Sequence, residues 1–437
     1  MSTAQPEPVA PLVEHFFRRE AGRLVAVLTR FFGWRNFDLV EEMVQATLLD
    51  ALQSWRARGI PENPSGWIHK VAKNKVLDSL RRTEIHHRIT NDWLTGRSPV
   101  NPGIDELFFD TAIEDSQLRM IFACCHPMLS RENQLALTLK TLCGFGVSEI
   151  ARALLVSDES IKKRLQRATK DLIDHHISLD PPEATQLVDR LDAVHQVLYL
   201  LFNEGHSSSR GDAAIRPDLC EDAAYLCHLL CAHPHCSTPT TRALMALMLF
   251  HAARLDARVA EDGTVLLMED QDRTRWDGWL IRRAQEFLDQ SAEGTSISIF
   301  HLEAGIAFHH CSAKSHAETD WPAILRLYDA MLTIHRSPVY LLNRAIVVAE
   351  ITGPHAGINA LNEMSDHAAL RHYHLFDATL GELYRRAGDF EQARQHLEAA
   401  RQKTRSPHDR AIIDRRLSKC APAVGVTTTA TRKPSRV

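Results

Sequence analysis

Apolar residues recur at three- and four-residue spacing along almost the whole chain, and glycine and proline seldom interrupt them, so the pattern predicts an all-α protein. No stretch alternates apolar and polar positions as a half-buried strand would, apart from a short hairpin expected around "DGTVLLMED" (262–270). Breaks in the periodicity divide the chain into blocks. The first, 11–85, reads as helices at 11–32, 38–55 and 64–83, with "RARGIPENPSG" as the loop before the third. A linker follows at 86–115. It carries Pro99 and Pro102 and turns acidic through Asp105, Glu106, Asp110, Glu114 and Asp115. A second helical block, 116–176, ends before "HHISLDPPEA", where tandem prolines cannot continue a helix. The third block, 184–420, is helical again, and the small, polar tail 421–437 is expected to be disordered.

Late in the third block, "YLLNRAIVVAEITGPHAGINALNEM" and "TLGELYRRAGDFEQARQHLEAARQKT" each read as two helices around a glycine turn. Gly353 and Gly388 lie about one tetratricopeptide repeat apart. Gly381, Tyr384, Gly388, Ala393 and Ala400 sit where small and aromatic residues let paired helices pack closely. A TPR-like solenoid is therefore expected at this end, with a groove able to take a protein ligand.

Charge and composition narrow the picture. A net charge of −4 excludes a protein that is basic all over, so any nucleic-acid surface must be local. The longest apolar stretch, "ALMALMLF" at 243–250, is too short to span a bilayer, and the N-terminus has no basic start followed by an apolar core. A cytoplasmic protein with no membrane partner is expected, its nine cysteines reduced. "CHLLCAHPHC" gathers Cys227, His228, Cys231, His233, His235 and Cys236, residue types that suit zinc. Because Cys227 and Cys231 share a helical face with Leu230, packing as small apolar residues is the favoured reading, and no metal is expected. "FNEGH" and "EDQDRTRW" supply carboxylates and arginines, but no nucleophile–base set or phosphate-binding loop accompanies them. They read as caps and ion pairs, so neither an enzyme nor a cofactor is expected.

The local basic surface lies at "VSEIARALLVSDESIKKRLQRATKDL" (147–172), laid out as a helix-turn-helix. Ile150, Ala151 and Leu154 form the inner face of its first helix. Ser157 caps the second helix, with Asp158 and Glu159 favoured in the first turn by the helix dipole. Ile161 and Leu165 pack that helix back. Ser157, Glu159, Ser160, Lys162, Lys163, Arg164 and Arg167 are then the candidate DNA contacts, since a recognition helix offers its N-terminal part to the major groove. Leu155 stands where such turns usually carry glycine, which implies a differently shaped turn.

In the first block, "FDLVEEMVQATLLDALQSW" carries Asp38, Glu41, Glu42 and Gln45 near the start of an amphipathic helix. "PSGWIHKVAKNKVLDSLRR" sets Trp67, Lys70, Lys73, Asn74, Asp78, Arg81 and Arg82 among Ile68, Val71, Val76 and Leu80, which are expected to be buried. Aromatics interleaved with cations and amides suit stacking on unpaired bases, although Trp67 taken alone reads more readily as core. Together these two segments resemble regions 2.2 and 2.3–2.4 of the extracytoplasmic-function sigma factors of the sigma-70 family. "IFACCHPMLSRENQLALTLKTLCGFGVSEIARALLVSDESIKKRLQRA" resembles their region 4. In the third block, "VLYLLFNEGHSSS", "LCEDAAYL", "ALMLFHAARLDAR" and "LLMEDQDRTRWD" resemble the large helical extension of one sigma-factor group, with His206 where that group usually has Tyr.

The resemblance implies a chain that makes no bonds but lends sequence recognition to core RNA polymerase. Asp38, Glu41, Glu42 and Gln45 would dock on the clamp helices of the β′ subunit. Residues 57–82 would melt and hold the −10 element, and 157–167 would read the −35 element as duplex promoter DNA. The acidic linker would thread the channel for nascent RNA, its charge mimicking nucleic acid; the β subunit is a further expected partner, and the extension would regulate the factor in cis. The alternative is a stand-alone helix-turn-helix regulator with an effector-sensing helical domain, which leaves 38–82 unexplained.

Overall fold

The computed structural model describes residues 9–90, 110–154, 156–179, 184–206, 215–260, 264–363, 373–404 and 406–420. The chain forms two compact units. One comprises residues 1–255 with 276–304, and the other 256–275 with 305–437. Among the described residues every extended element of regular structure is a helix, as the periodicity predicts. The expected hairpin reduces to a single antiparallel bridge between Val259 and Val265.

The first unit opens with α1 (Val9–Phe32), then α2 (Phe37–Arg58) and α3 (Pro64–Thr90). Next come α4 (Asp110–Cys124), α5 (Arg131–Thr141), α6 (Val147–Leu154) and α7 (Asp158–Asp174). It is completed by α8 (Ala184–His206), α9 (Pro217–Ala232), α10 (Pro239–Ala252), α11 (Gly278–Ser291) and the start of α12 (Ile299–Ser312). α3 runs seven residues past its expected end and α4 begins inside the span expected to be linker.

α1 is central. Leu24, Val25, Ala26, Val27 and Leu28 are all buried, so this stretch has no solvent face and must be covered from every side. α2 and α3 cover one side, and α4 and α5 another. Two glycines make the second contact close. A Cβ on Gly22 of α1 would sit 2.0 Å from the Leu142 carbonyl oxygen, and one on Gly144, which has φ +68°, would sit 2.3 Å from the Arg18 carbonyl oxygen. Backbone therefore meets backbone where α1 crosses the α5–α6 turn, and only glycine fits at either point.

The second unit holds the rest of α12, then α13 (Trp321–Ile334), α14 (Pro338–Thr352) and α15 (Pro354–Asn362). α16 (His374–Ala387), α17 (Phe390–Lys403) and α18 (Pro407–Ser418) follow. α14–α15 and α16–α17 are helical hairpins turned at Gly353 (φ +100°) and Gly388 (φ +86°). Close crossing rests on Gly381, whose added Cβ would lie 2.6 Å from Leu397, with Ala393 and Ala400 fully buried beside it. The segment 256–275 is a strap: it leaves the first unit after Leu255, lies in the second, and returns at Trp276.

Candidate nucleic-acid and polymerase interface

The helix-turn-helix forms as the sequence predicts. Ser157 is extended (φ −76°, ψ 153°) and its hydroxyl accepts the Ser160 amide at 3.2 Å, so α7 starts where the cap residue stands. Ile150, Ala151 and Ile161 are buried at the crossing of α6 and α7. Leu154 and Leu165 are only half-buried, contrary to expectation; Leu165 lines a crevice that α7 shares with α2. Leu155 lies outside the described residues. Ser157, Glu159, Lys162, Lys163 and Arg167 are exposed, and Ser160 and Arg164 half-buried. Lys163 reaches back to Glu159 at 3.4 Å, an exposed pair of little energetic weight.

In the first block, Lys70, Asn74, Asp78 and Arg81 are exposed on α3 and Lys73 is half-buried; the Arg82 side chain lies outside the described residues. Ile68 and Val76 are buried, but Val71 and Leu80 are half-buried rather than buried, since they sit at the margin of the face α3 turns to α1 and α2. Trp67 packs edge-on against Trp55 at 5.9 Å, and Trp55 stacks on Phe17 at 5.3 Å. Its ring is thus anchored at one edge and half-exposed. Beneath it, buried Glu20 meets His69 at 2.9 Å and Arg23 at 3.0 Å. Burial alone would raise the Glu20 carboxyl, but His69 and Arg23 outweigh it and hold the group below its ordinary value.

Asp38, Glu42 and Gln45 are exposed on α2. Glu41 is not free: it pairs with Lys140 of α5. Burial pushes the Lys140 ammonium below its ordinary pKa. Around this pair runs a crevice lined by Asp38 and Phe37 on one side and Gln166, Thr169 and Lys170 of α7 on the other. Lys170, part of the same basic run and exposed like Lys162 and Lys163 about two turns earlier, borders α2 here.

Several contacts that sequence reasoning missed tie α8 and α9 to both earlier blocks. Arg18 of α1 donates from Nη1 to Asp218 Oδ2 at 2.9 Å, and Arg216 donates to the same oxygen at 2.9 Å. Both guanidiniums lie over the Phe145 ring, at 4.3 and 5.1 Å. Tyr225 donates to Gln117 Oε1 of α4 at 3.0 Å and carries Arg19 over its ring at 4.5 Å. Arg190 of α8 donates to the Phe122 carbonyl at 2.6 Å. Asp222, one turn after Asp218, is pushed up to about 7, chiefly by burial, which with Asp218 and Glu221 outweighs the opposing pull of Arg18 and Arg19. No sequence signal marked these residues, since isolated arginines and aspartates on helices ordinarily read as surface.

The cysteine-rich segment carries no metal geometry: among the described residues, no three His, Cys, Asp or Glu side chains could hold an ion. Cys227 and Cys231 both turn to the Thr241 carbonyl, at 3.8 and 4.0 Å, and Cys236 is buried. In "FNEGH", Glu204 is raised to about 7 by burial. In "EDQDRTRW", Asp272 caps the Thr274 amide at 2.9 Å, and Arg273 binds the carbonyls of His310 and Ala313, each at 2.7 Å. No helix among the described residues is long and apolar enough to cross a membrane.

Comparison with known proteins matches Sigma-70 region 2 over residues 16–84 and Sigma-70, region 4 over residues 119–172. Residues 190–292 match a family of unknown function, DUF6596. An uncharacterized protein of Rhizobium meliloti (strain 1021) is 32% identical over 381 residues, spanning 86% of this chain and 88% of its own. No solved structure matches.

Proposed function

The chain belongs to the sigma-70 family, as an extracytoplasmic-function-like sigma factor with a C-terminal helical extension, and we propose that the extension governs when its two sigma regions engage polymerase and promoter. As an RNA polymerase sigma factor it partners core RNA polymerase and promoter DNA, within a family of transcription factors rather than enzymes.

In this reading Asp38, Glu41, Glu42 and Gln45 dock on the β′ clamp helices. Trp67, Lys70, Lys73, Asn74, Asp78, Arg81 and Arg82 hold the melted −10 strand, and Ser157 to Arg167 read the −35 duplex. The exposed cations of α7 and the half-exposed Trp67 ring support those roles. The protein's overall acidity is then no obstacle, because polymerase supplies most of the affinity and α7 only local readout.

The Glu41–Lys140 pair carries the part of the proposal that concerns the two sigma regions themselves. A residue assigned to polymerase docking is occupied by region 4, beside a crevice where α7 borders α2. α8 and α9 hold the same arrangement by gripping α1 at Arg18 and α4 at Gln117 and Phe122. The two sigma regions are thus braced against each other, and polymerase has to separate them. Run-off transcription with purified core polymerase on a genomic promoter library tests this, comparing the full chain with Lys140→Glu. Specific start sites from both proteins, with a several-fold higher yield from Lys140→Glu at limiting core, support the reading. Equal yields would remove the brace, and an absence of transcripts with either protein would remove the promoter assignment.

A further inference from the structure

The second unit contains a concave groove of about 380 Å³, open on one side. Trp321 and Tyr328 of α13, Ile346 and Val347 of α14 and Leu383 of α16 give it an apolar base, and Trp321, Tyr328 and Ile346 stay half-exposed there. Along the base run two charge clusters. Arg386 pairs with Glu350, while Glu382 takes both Arg385 at 2.7 Å and Arg416 at 3.2 Å. Three guanidiniums thus face two carboxylates.

The remaining wall is the strap itself, through Leu267, Met268 and Glu269. Leu267 is extended (φ −67°, ψ 158°) and leads into a single 3-10 turn at Met268–Asp270, and Arg415 donates to the carbonyl of Val265 at 3.1 Å. Glu269 acts electrostatically on Arg385 and so provides the third negative charge. Yet the strap fits incompletely: Leu266, Leu267 and Met268 are half-exposed although apolar, and Glu269 is exposed. Asn343 lines the same groove half-buried, and its carboxamide has no partner among the described residues. A carboxamide offers a donor and an acceptor side by side, which match the C=O and N–H of one extended residue.

We propose that this groove binds a short segment of a partner protein, extended at its first residue and presenting two adjacent apolar side chains followed by an acidic one, and that the strap is a tethered self-ligand of the same chemistry. The apolar pair covers Trp321, Tyr328 and Ile346, the acid replaces Glu269 opposite the guanidiniums, and the backbone between them pairs with Asn343. Solenoid grooves take extended peptides in this way, with backbone pairing for affinity and side-chain pockets for choice. Because the strap continues at both ends into helices of the first unit, its displacement is a route from partner to sigma regions; that consequence alone rests on the regulatory reading above.

The test uses the full chain without polymerase, so its outcome is independent of sigma activity. A fluorescent synthetic peptide of the strap sequence TVLLMEDQDR is titrated by anisotropy against the wild type, Arg415→Ala and Leu267→Ser/Met268→Ser. Weakening the strap is expected to tighten peptide binding at least about tenfold by removing the internal competitor. Asn343→Leu in the Arg415→Ala background, or Glu269→Lys in the peptide, is expected to weaken it by a similar factor. Arg415→Ala alters only a surface anchor, so it reports even where the double substitution disturbs folding. Absence of saturable binding to Arg415→Ala, or equal binding of the Glu269→Lys peptide, overturns the proposal.

Discussion

Arg18 and Asp218 are joined by a 2.9 Å hydrogen-bonded ion pair across two hundred positions of sequence, and the Arg18 side chain is 9% exposed. The pair links the first helix of the sigma portion to the second helix of the extension. Asp218 is held below its ordinary pKa: burial pushes the other way, but Arg216 and Arg18 prevail. Asp218→Asn is expected to destabilise the protein by about 1–3 kcal/mol, the scale of a charged hydrogen bond with one partner removed. Urea unfolding monitored at 222 nm measures it. An unchanged midpoint would mean that the pair is idle.

Gly144→Ala meets two obstacles, a φ of +68° and the Arg18 carbonyl 2.3 Å from the new Cβ. About 1–3 kcal/mol of destabilisation is expected. Gly353→Ala provides the comparison, because it has positive φ but nothing within 4 Å. It should cost less, and differential scanning calorimetry ranks the two.

Burial opposes the charge of Asp222 and pushes its folded carboxyl up to about 7 from an ordinary value of 3.8. Its folded pKa is raised, so the protein is favoured below about pH 4 and loses that stabilisation as pH rises through 7. Asp222→Asn, which cannot ionise, should therefore melt about 5 °C or more above the wild type at pH 8. The gap should narrow towards pH 5; a gap independent of pH would contradict the assignment.

Arg164→Ala and Lys163→Ala are expected to lower −35-dependent initiation several-fold while leaving core binding intact, as judged by run-off yield and native-gel association. Trp67→Ala should impair melting of the −10 bases, read by permanganate reactivity, at preserved core affinity. Because Trp67 also packs on Trp55, Trp67→Phe is the control that keeps the packing.

Much of this molecule was legible in periodicity and capping. Ser157 announces the start of α7, and Gly353 and Gly388 announce the turns of the last hairpins, because each acts through its own backbone. What stayed hidden depends on partners far along the chain. Nothing near Lys140 or Glu41 foretells their pairing, and nothing in the basic run shows that Lys170, itself exposed, borders α2. Likewise Gly22 reads as a flaw in a helix, whereas it is where Leu142 passes. The linker segment 91–109 and the tail 421–437 fall outside the described residues.

The central claim, that regions 2 and 4 are held together until polymerase separates them, is tested most directly by a distance. Spin labels at Leu49, 59% exposed on α2, and at exposed Lys163 on α7 report it by pulsed electron resonance, with Cys231 replaced by serine to leave the other native thiols buried. The account predicts one narrow, short distance in the free protein, lengthening when core polymerase is added. A long or broad distribution in the free protein, unchanged by polymerase, would contradict it.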